Sequence, residues 1–468
     1  MASVGLSKIL FVLLVTYFSK SSSLNVEFGK KYVFSDKTPY HFLNESVQIP
    51  KNYEPIFINM IIRHGSRYPS THRVQGFDKY LKVLNRYILV NRMENTTIPS
   101  TERQYLPWEI PIDVKNAASK ELSKLGAQEM YEIARRVRVN FPQLFNFNYS
   151  NNNYSFIATD KLRSSQSAVS FAQGLFEYRG NVGDSRYQPV AIKSSGPSHR
   201  DRVLRIYEAC PKWRNKIRFS EYRKFLSGEH MRKVTENIRT RLNLHNKTLS
   251  PQAVVEMYLM CAFGTQTDSK DVSLCSLFSD DDFRVLEYLN DLKVYWSYGY
   301  GRKINSRMAC LLYRNLLLSF NQHIQISKPY GVFQFAHTGT VVPLLTLLGL
   351  FQDEQPLRSD NFPTMQNNRT FRPSDIVPMS ANIAFVLYDR SRNATKSNHA
   401  RSKSSFSRIL IQVLVNEVVV KVPACKGKKY CRLKKFVEFY SSFEKNCNIR
   451  KICGSRKNRS RSQRRNFD

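Results

Sequence analysis

A chain of 468 residues with 42% hydrophobic and 12% aromatic side chains can bury a large core, which excludes a wholly disordered protein and favours two lobes over one. Lysine and arginine outnumber aspartate and glutamate by 72 to 37, a formal charge of +35. That surplus favours polyanionic partners without naming one: nucleic acid, heparin-like glycan, anionic membrane and inositol polyphosphate all satisfy it.

Residues 1–23 read as a secretory signal peptide, in which Lys8 precedes the mainly apolar run Ile9 to Phe18 and Ser21-Ser22-Ser23 suit cleavage. That run is too short to span a bilayer, and no later stretch is long and apolar enough for a membrane span. On this reading the protein is secreted and extracellular. Eight cysteines then suggest disulfides, with Cys261 and Cys275 closing a loop and the cluster Cys425, Cys431, Cys447 and Cys453 read as two staples rather than a zinc site. Sequons begin at Asn44, Asn95, Asn148, Asn153, Asn246, Asn368, Asn393 and Asn458.

A polar lead-in ends at Ile56, where Ile56, Phe57, Ile58, Met60, Ile61 and Ile62 read as a strand covered on both faces of a parallel sheet. The run stops abruptly in Arg63-His64-Gly65-Ser66-Arg67-Tyr68-Pro69. Ligands of open α/β sheets bind at the carboxyl edge of the strands, where this segment would emerge. Two guanidiniums offer forked donors matched to phosphate oxygens, and an imidazole between them can act as a nucleophile. Amphipathic helices are predicted over Phe77 to Met93 and Leu122 to Phe145. A second strand, Tyr154 to Ala158, runs into Thr159-Asp160-Lys161-Leu162-Arg163-Ser164-Ser165, where Ser164 or Ser165 is expected to cap a helix and Arg163 to lie near its N-terminus.

Residues from about Val203 to Gln325 read as mainly helical. Asp280-Asp281-Asp282 is taken as a helix N-terminus rather than a calcium loop, and Tyr298-Gly299-Tyr300-Gly301 as a turn. A third strand, Val332 to Ala336, ends at His337, after which Thr338-Gly339-Thr340 opens another helix. Ile383 to Tyr388, Ile409 to Val415 and Val418 to Val420 complete the sheet. The chain beyond Cys425 is strongly basic, and its arginine-rich end, from Arg456, cannot bury enough apolar surface to fold.

The segment Arg63-His64-Gly65-Ser66-Arg67-Tyr68-Pro69 resembles the Arg-His-Gly-x-Arg-x-Pro signature of the histidine acid phosphatases. Blocks from Leu122 to Met130, Val285 to Leu292, Ile304 to Arg307 and Ile376 to Pro378 make the chain most similar to the multiple inositol polyphosphate phosphatase group. The resemblance implies an α/β fold, a sheet domain with helices on both faces plus an inserted α-helical domain. It divides the chain into the α/β phosphatase domain (24–75, 154–200 and 326–424), mainly α-helical insertions (76–153 and 201–325) and a basic, cysteine-containing C-terminal tail (425–468). It also implies His64 as the nucleophile, with Arg63, Arg67, Arg163 and His337 on the phosphate and Lys161 as a neighbouring substrate-binding residue. No cofactor or metal is implied.

One departure stands out. The group reads His-Ala-Glu-Thr at the third strand's end, its glutamate protonating the departing alcohol, whereas this chain reads His337-Thr338-Gly339-Thr340. Losing a general acid typically costs about 100- to 10,000-fold in rate. Asp160, beside the second cationic turn, is a candidate replacement, and restoring the acid by Gly339→Glu is expected to raise the rate on inositol phosphates. Two functions follow. One is a secreted phosphatase acting on inositol polyphosphates or other phosphomonoesters, attenuated by the missing acid; the other is a secreted polyanion-binding protein without turnover. The basic tail would suit extracellular polyanionic glycans, and a secreted protein is not expected to meet nucleic acid.

Overall fold

The strand segments of this chain differ in how much polar surface they carry, and that difference orders the sheet. The computed structural model describes residues 32–94, 108–216, 219–244, 248–390 and 408–454; the expected signal peptide, the sequons at Asn95, Asn246, Asn393 and Asn458, and the arginine-rich end lie outside them. All the elements below belong to the unit Val33–Asp468. The strands are β1 (Tyr53–Arg63), β2 (Tyr154–Ala158), β3 (Ile192–Ser194), β4 (Gly331–Ala336), β5 (Asn382–Arg390), β6 (Leu410–Val415), β7 (Val418–Val420) and β8 (Tyr430–Arg432). They form one sheet in the order β3-β2-β4-β1-β5-β6-β7, with β8 also paired to β6. β1, buried at every residue from Phe57 to Arg63, takes the centre, while the half-exposed β3 and β7 take the margins.

β3, β2, β4 and β1 run parallel, and β5 to β8 continue antiparallel. Register matters most between the three strands predicted to end in chemistry: Arg63 pairs with Ala336, and Ala158 with Phe335. His64, Thr159 and His337 therefore leave the sheet side by side at one carboxyl edge.

The helices of ten or more residues are α1 (Thr71–Glu94), α2 (Lys124–Asn140), α3 (Leu162–Leu175), α4 (Glu229–Arg241), α5 (Pro251–Gly264), α6 (Asp280–Ser297), α7 (Cys310–Ile326), α8 (Thr338–Leu347) and α9 (Leu433–Lys445). Ile58, Met60 and Ile62 of β1 share a core with Met130, Ile133 and Val137 of α2 and Phe171 and Leu175 of α3. The alternate residue Phe57 meets Phe320 of α7 edge-on, as does Phe385 of β5. Helices thus cover both faces, and period-two alternation assigns each strand residue to one of them. Asn59, the polar interruption in β1, is satisfied by Ser319 Oγ (2.9 Å) and Gln334 Nε2 (3.2 Å).

Four expectations change. The helix predicted from Leu122 to Phe145 is α2, capped by Ser123 accepting from the Gly126 N–H (3.2 Å), followed by a separate 3-10 turn Pro142–Phe145, because Pro142 has no N–H to continue the ladder. Ser164 and Ser165 do not cap α3; Lys161 is its extended N-cap residue and both serines lie in the first turn. The chain from Cys425 to Gly454 is folded body rather than tail. Leu433, Phe436 and Tyr440 form the buried stripe of α9, Phe436 meets Phe385 edge-on, and Tyr440 Oη donates to Leu348 O (2.7 Å), while Lys434 and Lys435 face solvent. Its cysteines make one local staple, Cys425–Cys431, and two long ties, Cys310–Cys447 and Cys210–Cys453, so the pair of internal staples is corrected. Cys261 pairs with Cys275 as expected from their spacing.

Candidate active site

The turn after β1 is fixed by its neighbours on every side. A Cβ added to Gly65 would lie 2.4 Å from the Gly126 carbonyl oxygen, so only glycine permits the close approach of this turn to α2. Gly65 N–H donates to Ser167 Oγ (3.0 Å), and the buried Glu129 carboxylate accepts from Ser66 N and Oγ, Tyr40 N and Ser380 Oγ at 2.6–2.9 Å. His64 is buried, its backbone bound to Ala336 O (3.1 Å) and Ser380 N (3.0 Å). Its Nδ1 lies 2.9 Å from Gly65 O. A carbonyl only accepts, so Nδ1 carries the proton and Nε2 keeps a free lone pair, the tautomer a nucleophile needs.

Around this ring stand more donors than acceptors. Arg63 Nη1 donates to Asp36 O and Val377 O, both at 2.6 Å, and Arg67 Nη1 to Tyr68 O (2.7 Å). Arg163, in the first turn of α3, places Nη2 3.3 Å from His337 Nδ1, and Arg205 Nη1 lies 2.6 Å from His337 Nε2, which Thr159 Oγ1 also meets at 2.9 Å. A neutral imidazole accepts at one nitrogen only, so His337 cannot satisfy both guanidiniums. The Nε atoms of Arg63, Arg67, Arg163 and Arg205 are all buried with no hydrogen-bond partner. Buried unpaired donors are costly, and converging cationic ones specify an anion. The rings of His64 and His337 are 5.3 Å apart.

The charges are consistent with that reading. Burial first, then Arg163, His337, Arg63 and Arg67, push the imidazolium of His64 well below the ordinary histidine range. Burial, Arg163 and Arg205 do the same to His337. Burial, together with Arg63 and Arg67, lowers Lys37 to about 8 even though Asp36 opposes it. Asp36 is the acidic boundary of the cradle, 3.7 Å from Arg63 Nη2; despite its burial, Lys37, Arg63 and Lys293 hold its carboxyl well below the usual range.

The proton-donor expectations change. Asp160 accepts from Ser198 N–H (2.8 Å) and from the Ser198 hydroxyl, and Lys161 lies beside it at 3.8 Å. Against the effect of burial, these partners lower its pKa and favour its carboxylate form over the acid a donor needs. Lys161, part-exposed and paired with Asp160, lies at the start of α3, next to Leu162 and Arg163. At Gly339 an added Cβ would meet Tyr207 Cδ1 and Cε1 at 2.8 Å and Tyr298 Cε1 at 2.9 Å. Tyr298 is stacked on Trp213 (5.5 Å) and Tyr207 packs edge-on against both, so neither ring is free to retreat. The place of an acidic side chain is already filled. Gly339→Glu is expected to cost about 1–3 kcal/mol by overpacking and to lower both aryl and inositol phosphate rates, replacing the selective gain expected earlier; thermal unfolding with paired rate assays checks it.

The strand-end residues Arg63, His64, Arg67, Arg163 and His337 therefore converge. Arg205, Tyr207, Tyr298 and Asp36 were not singled out for the site by sequence. Arg200, Arg202 and Arg205 crowd one short stretch, but only burial distinguishes Arg205 from its exposed neighbours. Tyr298 does lie in the turn predicted there, and the turn is what aims its ring. Among the described residues no cluster of His, Cys, Asp or Glu could hold a metal ion, and no helix is long and apolar enough to cross a membrane.

Comparison with known proteins gives the family. Residues 56–416 match the model of the histidine phosphatase superfamily, branch 2. The chain is 28% identical to the multiple inositol polyphosphate phosphatase 1 of Gallus gallus over 92% of its length and 93% of that protein's. The Homo sapiens protein of the same name is 28% identical over 86% of this chain and 83% of its own. Among solved structures, the phytase from D. castellii superposes with a TM-score of 0.69 (17% identity, 90% of this chain, 87% of that one). The Bifidobacterium longum multiple inositol polyphosphate phosphatase in complex with inositol hexasulfate gives 0.65 (15% identity, 88% and 98%). The family match runs unbroken through His64, Arg163, Arg205 and His337, and the chain belongs to branch 2 of the histidine phosphatase superfamily, a phosphoric monoester hydrolase by class.

Proposed function

We propose that the protein hydrolyses phosphomonoesters of inositol polyphosphates through a phosphohistidine on His64. The observation that carries this reading is the group of four buried, unpartnered guanidinium Nε atoms, with Arg63, Arg67 and Arg163 acting on His64 and Arg205 on His337, beside a His64 imidazole whose Nε2 keeps its lone pair. His64 Nε2 attacks phosphorus; Arg63, Arg67, Arg163, Arg205 and His337 hold the equatorial oxygens as charge spreads over them, and water then hydrolyses the phosphohistidine. The names of the relatives favour an inositol polyphosphate as substrate. Secretion, or residence in an oxidising lumen, is supported by four disulfides and by the exposed sequon asparagines Asn44, Asn148 and Asn368.

The second reading, a polyanion-binding protein without turnover, is favoured by Gly339 and the rings that fill the acid's place. Phosphate release from inositol hexakisphosphate and from an aryl phosphate separates the two. An active enzyme without a carboxylic acid is expected to release phosphate from both and to favour the aryl ester, whose phenolate leaves without full protonation. Saturable binding of inositol hexakisphosphate with no release from either substrate establishes the second reading.

A further inference from the structure

Resting on the phosphatase reading, we infer that the hydroxyl of Tyr298 is the proton donor to the departing alcohol, taking the place left empty of a carboxylic acid at Gly339.

The geometry is that of a substitution in space. Tyr298 Cε1, the ring carbon next to the hydroxyl-bearing carbon, lies 2.9 Å from where a Gly339 side chain would begin. Its ring is held from two sides, stacked on Trp213 at 5.5 Å and set edge-on to Tyr207 at 5.8 Å. Trp213 is itself pinned, donating Nε1–H to Ser297 O (2.8 Å) and Asn305 Oδ1 (3.2 Å), so the tyrosine is positioned by a rigid partner. The hydroxyl of the part-exposed Tyr298 has no hydrogen-bond partner among the described residues. A hydroxyl that the protein leaves unpaired beside the cradle is open to a ligand.

Charge distinguishes Tyr298 from Tyr207. The charged groups acting on the Tyr298 hydroxyl are Asp36, Glu208, Arg205 and Arg63. Tyr207 instead faces Arg205, Tyr298, Glu208 and Arg163. Burial, Asp36 and Glu208 raise the Tyr298 hydroxyl above its ordinary value, so it stays protonated until an alkoxide forms next to it.

The step balances. The lone pair of His64 Nε2 forms the N–P bond, the ester P–O bond breaks, and its electron pair goes to the leaving oxygen, which takes the Tyr298 proton. The tyrosinate, near Arg63 and Arg205, regains its proton from solvent; water then attacks the phosphohistidine and leaves its proton on the released phosphate, the P–N bond breaks and its electrons return to Nε2, so Tyr298 acts only in the first step.

Tyr298→Phe keeps the ring and removes only the hydroxyl. It is expected to lower kcat on inositol hexakisphosphate by about 100-fold or more and on para-nitrophenyl phosphate by less than about threefold. The parent's inositol hexakisphosphate rate is expected to hold its plateau from neutral pH to pH 8, whereas a carboxylic acid donor would be ionised and the rate falling there. Equal losses on both substrates, no loss on either, or the selective loss appearing in Tyr207→Phe instead would overturn the assignment. A parent that releases phosphate from neither substrate overturns the phosphatase reading itself.

Discussion

His64→Ala should abolish phosphate release, by on the order of 10,000-fold or more, while inositol hexakisphosphate still binds. Loss of the nucleophile leaves the charge of the cradle almost unchanged. His64 is neutral, held so by burial and the surrounding guanidiniums, and Arg63, Arg67, Arg163 and Arg205 remain to hold the anion. A lowered imidazolium pKa also means that Nε2 keeps its lone pair as pH falls below the ordinary histidine value, so the parent should work on the acid side of neutrality. Turnover numbers on an aryl and an inositol phosphate, with equilibrium binding of the inositol phosphate to the variant, check both halves. Binding lost together with turnover would assign His64 to the scaffold of the cradle.

Arg205→Ala should slow both substrates by about 100- to 1,000-fold, the usual cost of removing one fixed donor from a transition-state oxyanion. Arg205 is buried, 2.6 Å from His337 Nε2, and bonded through Nη2 to the Glu208 carboxylate, so its position is set from two directions. Its effect is on the transferring phosphoryl group and not on the leaving group. The substrate ratio should therefore stay constant, in contrast with Tyr298→Phe. Arg205→Lys should recover little, because an ammonium cannot reproduce the planar fork that meets His337 and Glu208 together. Steady-state kinetics of the two variants on both substrates is the check.

The parts of the site legible in sequence are those where a strand ends. β1, β2 and β4 each announce themselves by apolar residues and run into a turn that carries a cation or an imidazole, and parallel pairing with Arg63 opposite Ala336 is enough to bring His64, Arg163 and His337 together. Nothing of the kind marks Arg205, which precedes a four-residue helix, Ile206–Ala209, within a stretch of irregular chain. Tyr298 shows the other limit: the turn was readable from its glycines, but which ring would fill the space above Gly339 depends on the crossing of the helical insertion over the sheet. The cysteine partners fail for the same reason. A short spacing reveals Cys261–Cys275 and hints at Cys425–Cys431, whereas Cys210–Cys453 joins residues 243 apart and is fixed only by tertiary structure. Basic composition misled in its own way, since α9 buries Leu433, Phe436 and Tyr440 beneath the lysines that made it look like tail.

The proposed mechanism requires that phosphate pass through His64. Mixing the protein with inositol hexakisphosphate, quenching in alkali, where a phosphorus–nitrogen bond survives, and mapping the modified peptide by mass spectrometry tests it most directly. One phosphoryl group on His64, appearing within a turnover and absent from unreacted protein, is the predicted result. Phosphate release at an undiminished rate with the label on another residue, or with no label on the protein during a single turnover, would contradict it.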